Sequence, residues 1–176
     1  WENFFRAGRD LLSYPYGPIM LLIQLPLSFI GHLLDNLNFA SNAKSYFLSF
    51  GFKLSILFAD ICILFLLLKL IKEKISKIII FYWLSPIVLY ISYWHGQLDI
   101  FPTLLLLLSL YFLKEKFFLI SAITLGLSVA CKISVLVAAP FLCLYLFLNN
   151  RYHKIVWKFI FIFVGTIVLV QGPYFL

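Results

Sequence analysis

Trp94-His95-Gly96-Gln97-Leu98-Asp99 joins two long apolar stretches and brings an imidazole, an amide and a carboxylate into one short turn. Such a set can hold a polar head group or a phosphate-bearing lipid, and Gly96 permits the tight backbone that gathers it. The plain alternative is an ordinary solvated turn. Asp60 sits inside the apolar run Leu57-Phe58-Ala59-Asp60-Ile61-Cys62. A carboxylate there is costly unless it is bonded or used, so it marks either a functional site or a structural tie to a neighbouring helix. Lys132 interrupts another apolar run. It can meet a phosphate as a point charge, or mark a helix end by snorkelling. Tyr14-Pro15-Tyr16-Gly17-Pro18 combines prolines that fix φ and can open a helix with tyrosines suited to a membrane interface; anchoring alone also explains it. Glu2 and Asp10 are carboxylates that can act as a general base or simply lie at the surface. Arg6, Arg9, Lys44 and Lys53 add positive charge that attracts an anionic lipid head or is merely solvated. His32 and His153 carry little signal, and Cys62, Cys131 and Cys143 read as small core residues, odd in number and without metal-ligand spacing. There is no Gly-rich phosphate loop, Ser-His-Asp pattern or zinc spacing. No cofactor or metal site is assigned, and a divalent metal requirement is left open.

The elements that must position these groups follow from composition. Of 176 residues, 64% are hydrophobic and 12% charged, against about 45–50% and about 25% in average globular chains. One soluble domain of this length cannot bury so much apolar surface, so lipid must take the place of water. That excludes a cytosolic enzyme, a nucleic-acid module and a disordered tail. Long unbroken runs such as Ile100–Leu113 argue against the alternating strands of a membrane β-barrel. The net charge of +7 invites a nucleic-acid partner, but in a polytopic membrane protein excess Lys and Arg mostly set topology, so none is expected.

In lipid every backbone group must be satisfied internally, which selects helices. The reading is an all-α polytopic transmembrane helix bundle: about six spanning helices at 51–71, 78–94, 98–113, 117–131, 133–148 and 155–172. Several are shorter than the roughly 20 residues of a full span. Residues 17–34 are apolar but interrupted by Pro18, Gln24, Pro26, Gly31 and His32, which predicts an interfacial or re-entrant helix. Residues 1–50 are then the end of a large extracytoplasmic loop and 51–176 the transmembrane part. The chain starts at Trp1 without an initiator Met and ends directly after an apolar run, so it is expected to be a piece of a longer membrane protein.

Charge orients the helices. Lys69, Lys72, Lys74 and Lys77, then Lys114 and Lys116, then Arg151, Lys154 and Lys158 flank alternate connections. The intervening connections hold Asp99 and a single Lys132. By the positive-inside rule the Lys-rich turns are cytoplasmic. The His95–Asp99 turn, Lys132 and residues 1–50 then share the opposite face.

The motifs in this order resemble the GT-C superfamily of membrane glycosyltransferases, in particular the mannosyltransferase-like group related to the GPI-anchor second mannosyltransferase. The resemblance rests on Ser85-Pro86-Ile87 before the Trp94–Asp99 turn, the Leu-rich helix ending at Lys114, and Gly126-Leu127-Ser128-Val129-Ala130-Cys131-Lys132. Tyr14-Pro15-Tyr16-Gly17-Pro18 is similar to the Tyr-Pro-Pro segment of these enzymes, and Ala59-Asp60 to part of their second transmembrane helix. His95 is extra before the Gly-Gln pair, and Lys132 lacks the proline that often follows it. The resemblance implies helices two to seven of the common module, preceded by the end of its first external loop. It also implies a catalytic acidic residue early in that loop, upstream of Trp1.

The implied activity is transfer of a sugar, such as the hexose mannose, from a polyprenyl-phosphate-linked donor to an extracytoplasmic glycan, lipid or protein acceptor. His95, Gln97, Asp99 and Lys132 would line the donor-phosphate region, with Asp60, Tyr14 and Tyr16 in support. The setting would be the plasma membrane of a prokaryote or the endoplasmic reticulum of a eukaryote, with the site on the extracytoplasmic or lumenal face. The rival readings are a transporter or lipid flippase using Asp60 as a substrate or proton path, and a non-catalytic scaffold subunit. No internal duplication of the kind common in transporters is visible.

Overall fold

The computed structural model describes residues 17–37, 46–71, 74–94, 96–149 and 152–175. Among the described residues the structure is all helical: α1 Pro18–Leu37, α2 Tyr46–Leu70, α3 Ile75–Trp83, α4 Pro86–Trp94, α5 Ile100–Lys114, α6 Phe118–Cys131, α7 Ile133–Leu148 and α8 His153–Phe175. The six apolar segments of the sequence reappear as α2, the α3–α4 pair and α5 to α8. Pro18–Asn36, Tyr46–Leu70 and His153–Pro173 are each long and apolar enough to cross a membrane, and α3–α4 together form a fourth candidate bent by 44°. α5, with 15 residues, spans about 22 Å, short of a hydrocarbon core of about 30 Å. The outward surface is apolar: Phe58, Phe81, Phe161 and Leu169 are all more than half exposed, as lipid-facing side chains are.

The bend has a covalent cause. Pro86 has no N–H and pushes the residue before it out of helical geometry, so Ser85 is extended at φ −64°, ψ 122°. The backbone on either side loosens. Ile79–Trp83 and Tyr90–Trp94 are π-helical turns, the first closed by Leu84 N–H on Ile79 C=O at 2.9 Å.

Residues 17–34, expected as an interfacial or re-entrant helix, fall in one continuous helix, Pro18–Leu37. Pro26 removes one donor from α1 without ending it. Packing on α2 sustains the helix. The two run antiparallel, and glycine allows backbone contact at both crossing points: a Cβ on Gly31 would lie 2.7 Å from the Phe47 carbonyl carbon, and one on Gly51 3.0 Å from that of Leu27. Asp35 of α1 accepts from Phe47 N–H (3.0 Å) and Leu48 N–H (2.9 Å), satisfying unpaired donors in the first turn of α2. α2 begins at Tyr46, a few residues before the approximate start at 51.

The rest is a bundle with two cores. Met20, Ile56, Ile63, Phe101 and Cys131 join α1, α2, the start of α5 and the end of α6. Leu125, Val129, Leu146 and Phe159 join α6, α7 and α8. Small polar residues tie α5 to α6. Ser109 and Ser121 each donate to the other's backbone carbonyl, at 2.9 and 2.8 Å, and Ser128 donates to Pro102 C=O at 2.6 Å. The α5–α6 turn closes with Lys116 at φ 66°, its N–H on Leu113 C=O and Phe117 N–H on Phe112 C=O. At one end of the bundle Lys114 Nζ donates to Lys69 C=O (3.0 Å) and Leu70 C=O (3.2 Å), so the lysine-bearing ends of α2 and α5 lie together. Gly17, at the head of α1, meets Cys131 beside the start of α5, and from there α1 runs antiparallel along α2 to Phe47, so residues 46–55 of α2, with α1 alongside, extend past the start of α5.

Candidate functional site

At the end of the bundle away from Lys114, the chain turns from α4 into α5. Gly96 adopts φ 68°, a conformation that costs any other residue energy, and Gln97 N–H closes the turn on Ile91 C=O at 3.0 Å. Leu98 is buried and anchors the turn. Asp99 stands at the start of α5, where its carbonyl accepts from Thr103 Oγ1 at 2.7 Å. Its carboxylate does not cap its own helix but reaches Lys132, with Nζ to Oδ1 at 2.5 Å. Lys132 is extended (φ −151°, ψ 117°) at the break between α6 and α7, which is where the sequence reading placed a break. Its neighbour Cys131 accepts from Gly17 N–H at 2.9 Å, and a Cβ on Gly17 would collide with the carbonyl oxygen of Ala130. Three segments distant in sequence therefore meet here: the start of α1, the α4–α5 turn and the α6–α7 break.

Beside the Asp99–Lys132 pair lies an open cavity of about 190 Å³ between α2, α3–α4 and α5. Its polar groups are Gln97, Asp99, Thr103, Ser92 and Tyr82, and its other wall is isoleucine and valine from α2, α4 and α5. Asp60 lies directly behind Tyr82. It is fully buried and accepts three hydrogen bonds: from Tyr82 Oη at 2.5 Å, Tyr93 Oη at 2.8 Å and Trp83 Nε1 at 3.0 Å. Every donor comes from one of the two π-helical turns. The carboxylate therefore ties the bent pair to α2 and is one hydrogen bond removed from the cavity.

The structure brings together Gln97 and Asp99 in one cavity, Lys132 on the carboxylate of Asp99, and Asp60 in the wall behind. Glu2, Asp10, Tyr14, Tyr16 and His95 lie outside the described residues. The sequence reading missed Tyr82, Trp83, Tyr93, Ser92 and Thr103. A signal for the first three was present, because a buried carboxylate needs donors and Tyr82-Trp83 and Tyr93 are aromatic residues with polar atoms beside a proline break. Among the described residues, no group of three or more His, Cys, Asp or Glu is arranged to hold a metal ion.

The profile described as glycosyltransferase family 87 matches residues 14–175 of this sequence, nearly its whole length. The chain belongs to glycosyltransferase family 87. It is 28% identical over 162 residues to GPI mannosyltransferase 1 of Kluyveromyces lactis, a match covering 92% of this chain and 37% of that protein. It is 31% identical over 142 residues to GPI mannosyltransferase 1 of Candida albicans, covering 76% of this chain and 32% of that one. The chain thus spans about a third of the length of these curated relatives. No solved structure matches. The match agrees with the resemblance carried by the sequence motifs, and the family 87 chain is a GT-C-like, mannosyltransferase-related membrane protein.

Proposed function

We propose that the protein containing this chain is an integral-membrane glycosyltransferase that moves a hexose such as mannose from a polyprenyl-phosphate donor to an extracytoplasmic acceptor. The observation that carries the reading is the cavity that holds Gln97 and Asp99 at one side and apolar side chains at the other, with Lys132 bound to Asp99. Such a cavity suits a donor that is an anion at one end and a hydrocarbon at the other. In the reaction the acceptor oxygen forms a bond to the anomeric carbon. The bond from that carbon to the phosphate oxygen breaks, and the phosphate leaves with the electron pair. The hydroxyl proton passes to an acidic residue outside the described residues, with Glu2 and Asp10 as the candidates within this chain. Lys132 stabilises the charge that develops on the departing phosphate, and Asp99 aims its ammonium. Gln97 adds an amide, and Asp60 keeps Tyr82 in the cavity wall.

The test is sugar transfer by the full-length protein in membranes, from labelled polyprenyl-phosphate mannose. Lys132→Ala is expected to lower the rate about 100-fold, as removal of one charge-stabilising donor does elsewhere. Lys132→Arg keeps more activity than Lys132→Ala, and Asp99→Asn falls between wild type and Lys132→Ala. Full activity of both Lys132→Ala and Asp99→Asn in normally inserted protein overturns the assignment.

A further inference from the structure

A second cavity, of about 400 Å³, lies along α1 where that helix packs on α2. Gln24, Ser28 and His32 line it, one helical turn apart on the same face. Leu25 and Phe29 form its rim and are more than half exposed, and Leu48 closes it from α2. Gln24 is 7% exposed, yet among the described residues its Nε2 has no hydrogen-bond partner. A buried donor left unpaired costs free energy, and nearly all such groups in folded proteins are satisfied. The group that satisfies Gln24 must supply an acceptor. Asp35, the acid of this helix, is already engaged with the first turn of α2. Ser28 and His32 can both donate as well, although His32 also contacts Asn36 at 3.3 Å. The apolar rim calls for hydrocarbon beside that acceptor, and α1 itself is apolar enough to lie in lipid.

We propose that the α1–α2 groove binds a phospholipid, with Gln24 Nε2 donating to an oxygen of the phosphate ester and an acyl chain lying along Leu25 and Phe29. The site is separate from the Asp99–Lys132 cavity, and the inference does not depend on the sugar-transfer reading. A lipid in this groove bridges α1 to α2 and holds the α1–α2 pair in the leaflet on the Asp99–Lys132 side.

Thermal unfolding of the full-length protein in lipid-stripped detergent micelles tests it, with dioleoylphosphatidylglycerol, dioleoylglycerol or inorganic phosphate added separately. The phospholipid is expected to raise Tm in a saturable way, because a ligand that binds only the folded state stabilises it. The diacylglycerol and inorganic phosphate are expected to raise it little. In Gln24→Met the apparent affinity for the phospholipid falls at least tenfold, while the lipid-free Tm equals or exceeds that of the wild type, since the unpaired donor is gone. Ser28→Ala weakens binding in the same direction. Equal phospholipid stabilisation of Gln24→Met and wild type overturns the proposal. So does a lower lipid-free Tm in Gln24→Met, which would show Gln24 bonded within the protein. An equal response to the diacylglycerol rules out the phosphate contact, and an equal response to inorganic phosphate rules out the lipid.

Discussion

Asp60 shows how one residue can be read twice. In the sequence it is a carboxylate inside an apolar run, open to both a catalytic and a structural reading. In the structure three neutral donors converge on it from two turns of another element. A carboxylate fixed in this way has no freedom to carry a proton or substrate across the bundle, which counts against the transporter alternative. Asp60→Asn keeps the shape but sets an amide N–H against donors, and is expected to cost about 1–3 kcal/mol. Asp60→Leu leaves all three donors unpaired and costs more. Thermal unfolding in detergent checks the order, and a Tm for Asp60→Asn equal to wild type contradicts it. The sequence disclosed the polarity of Asp60, Gln97, Asp99 and Lys132. It did not disclose which met which, because the Asp99–Lys132 contact joins residues 33 positions apart.

Elements here are joined by short polar contacts rather than by a hydrophobic driving force, which is weak between helices already in lipid. Ser109 and Ser121 form a reciprocal pair between α5 and α6. A double-mutant cycle of Ser109→Ala and Ser121→Ala is expected to give a coupling of about 0.6 kcal/mol, and at most about 1.7 kcal/mol. A coupling of zero would show that the pair ties nothing. At the turn that follows α5, Lys116 occupies the left-handed region. Lys116→Gly relieves that strain and is expected to stabilise by about 1 kcal/mol, read as a rise in Tm. Hydrophobic length and charge placement predicted the elements, but 78–94 was read as one segment, and the bend at Pro86 is a finding of the structure. The sequence predicts a helix at α1 as well, and the structure adds the packing at Gly31 and Gly51 that sustains it across Pro26.

Across the whole molecule the two ends differ in character. One carries the ends of α2 and α5 with Lys69 and Lys114, and the other carries Asp99, Lys132 and Gly17. The positive-inside rule predicts a cytoplasmic position for the first end. Single cysteines at positions 116 and 97, in a background lacking Cys62, Cys131 and Cys143, test this. A membrane-impermeant thiol reagent added from outside is expected to label Gln97→Cys in intact cells, and Lys116→Cys only after permeabilisation. Labelling of both from the same side refutes the orientation. The extension of α1 and residues 46–55 past the start of α5 fits the same arrangement, since it carries the N-terminal part toward the Asp99–Lys132 end.

Composition and spacing by themselves determined that this chain is a helical membrane bundle, where its apolar segments lie, and which polar residues stand out against them. These are local properties: hydrophobic length, charge placement and the effect of proline on the residue before it. Only the tertiary structure decided that Asp60 is held by Tyr82, Trp83 and Tyr93, that Asp99 pairs with Lys132, and that Gln24 has a buried donor with no partner among the described residues. Each of those depends on which faces of distant helices meet. A sequence in which nearly every face is apolar does not distinguish those that face lipid from those that face protein.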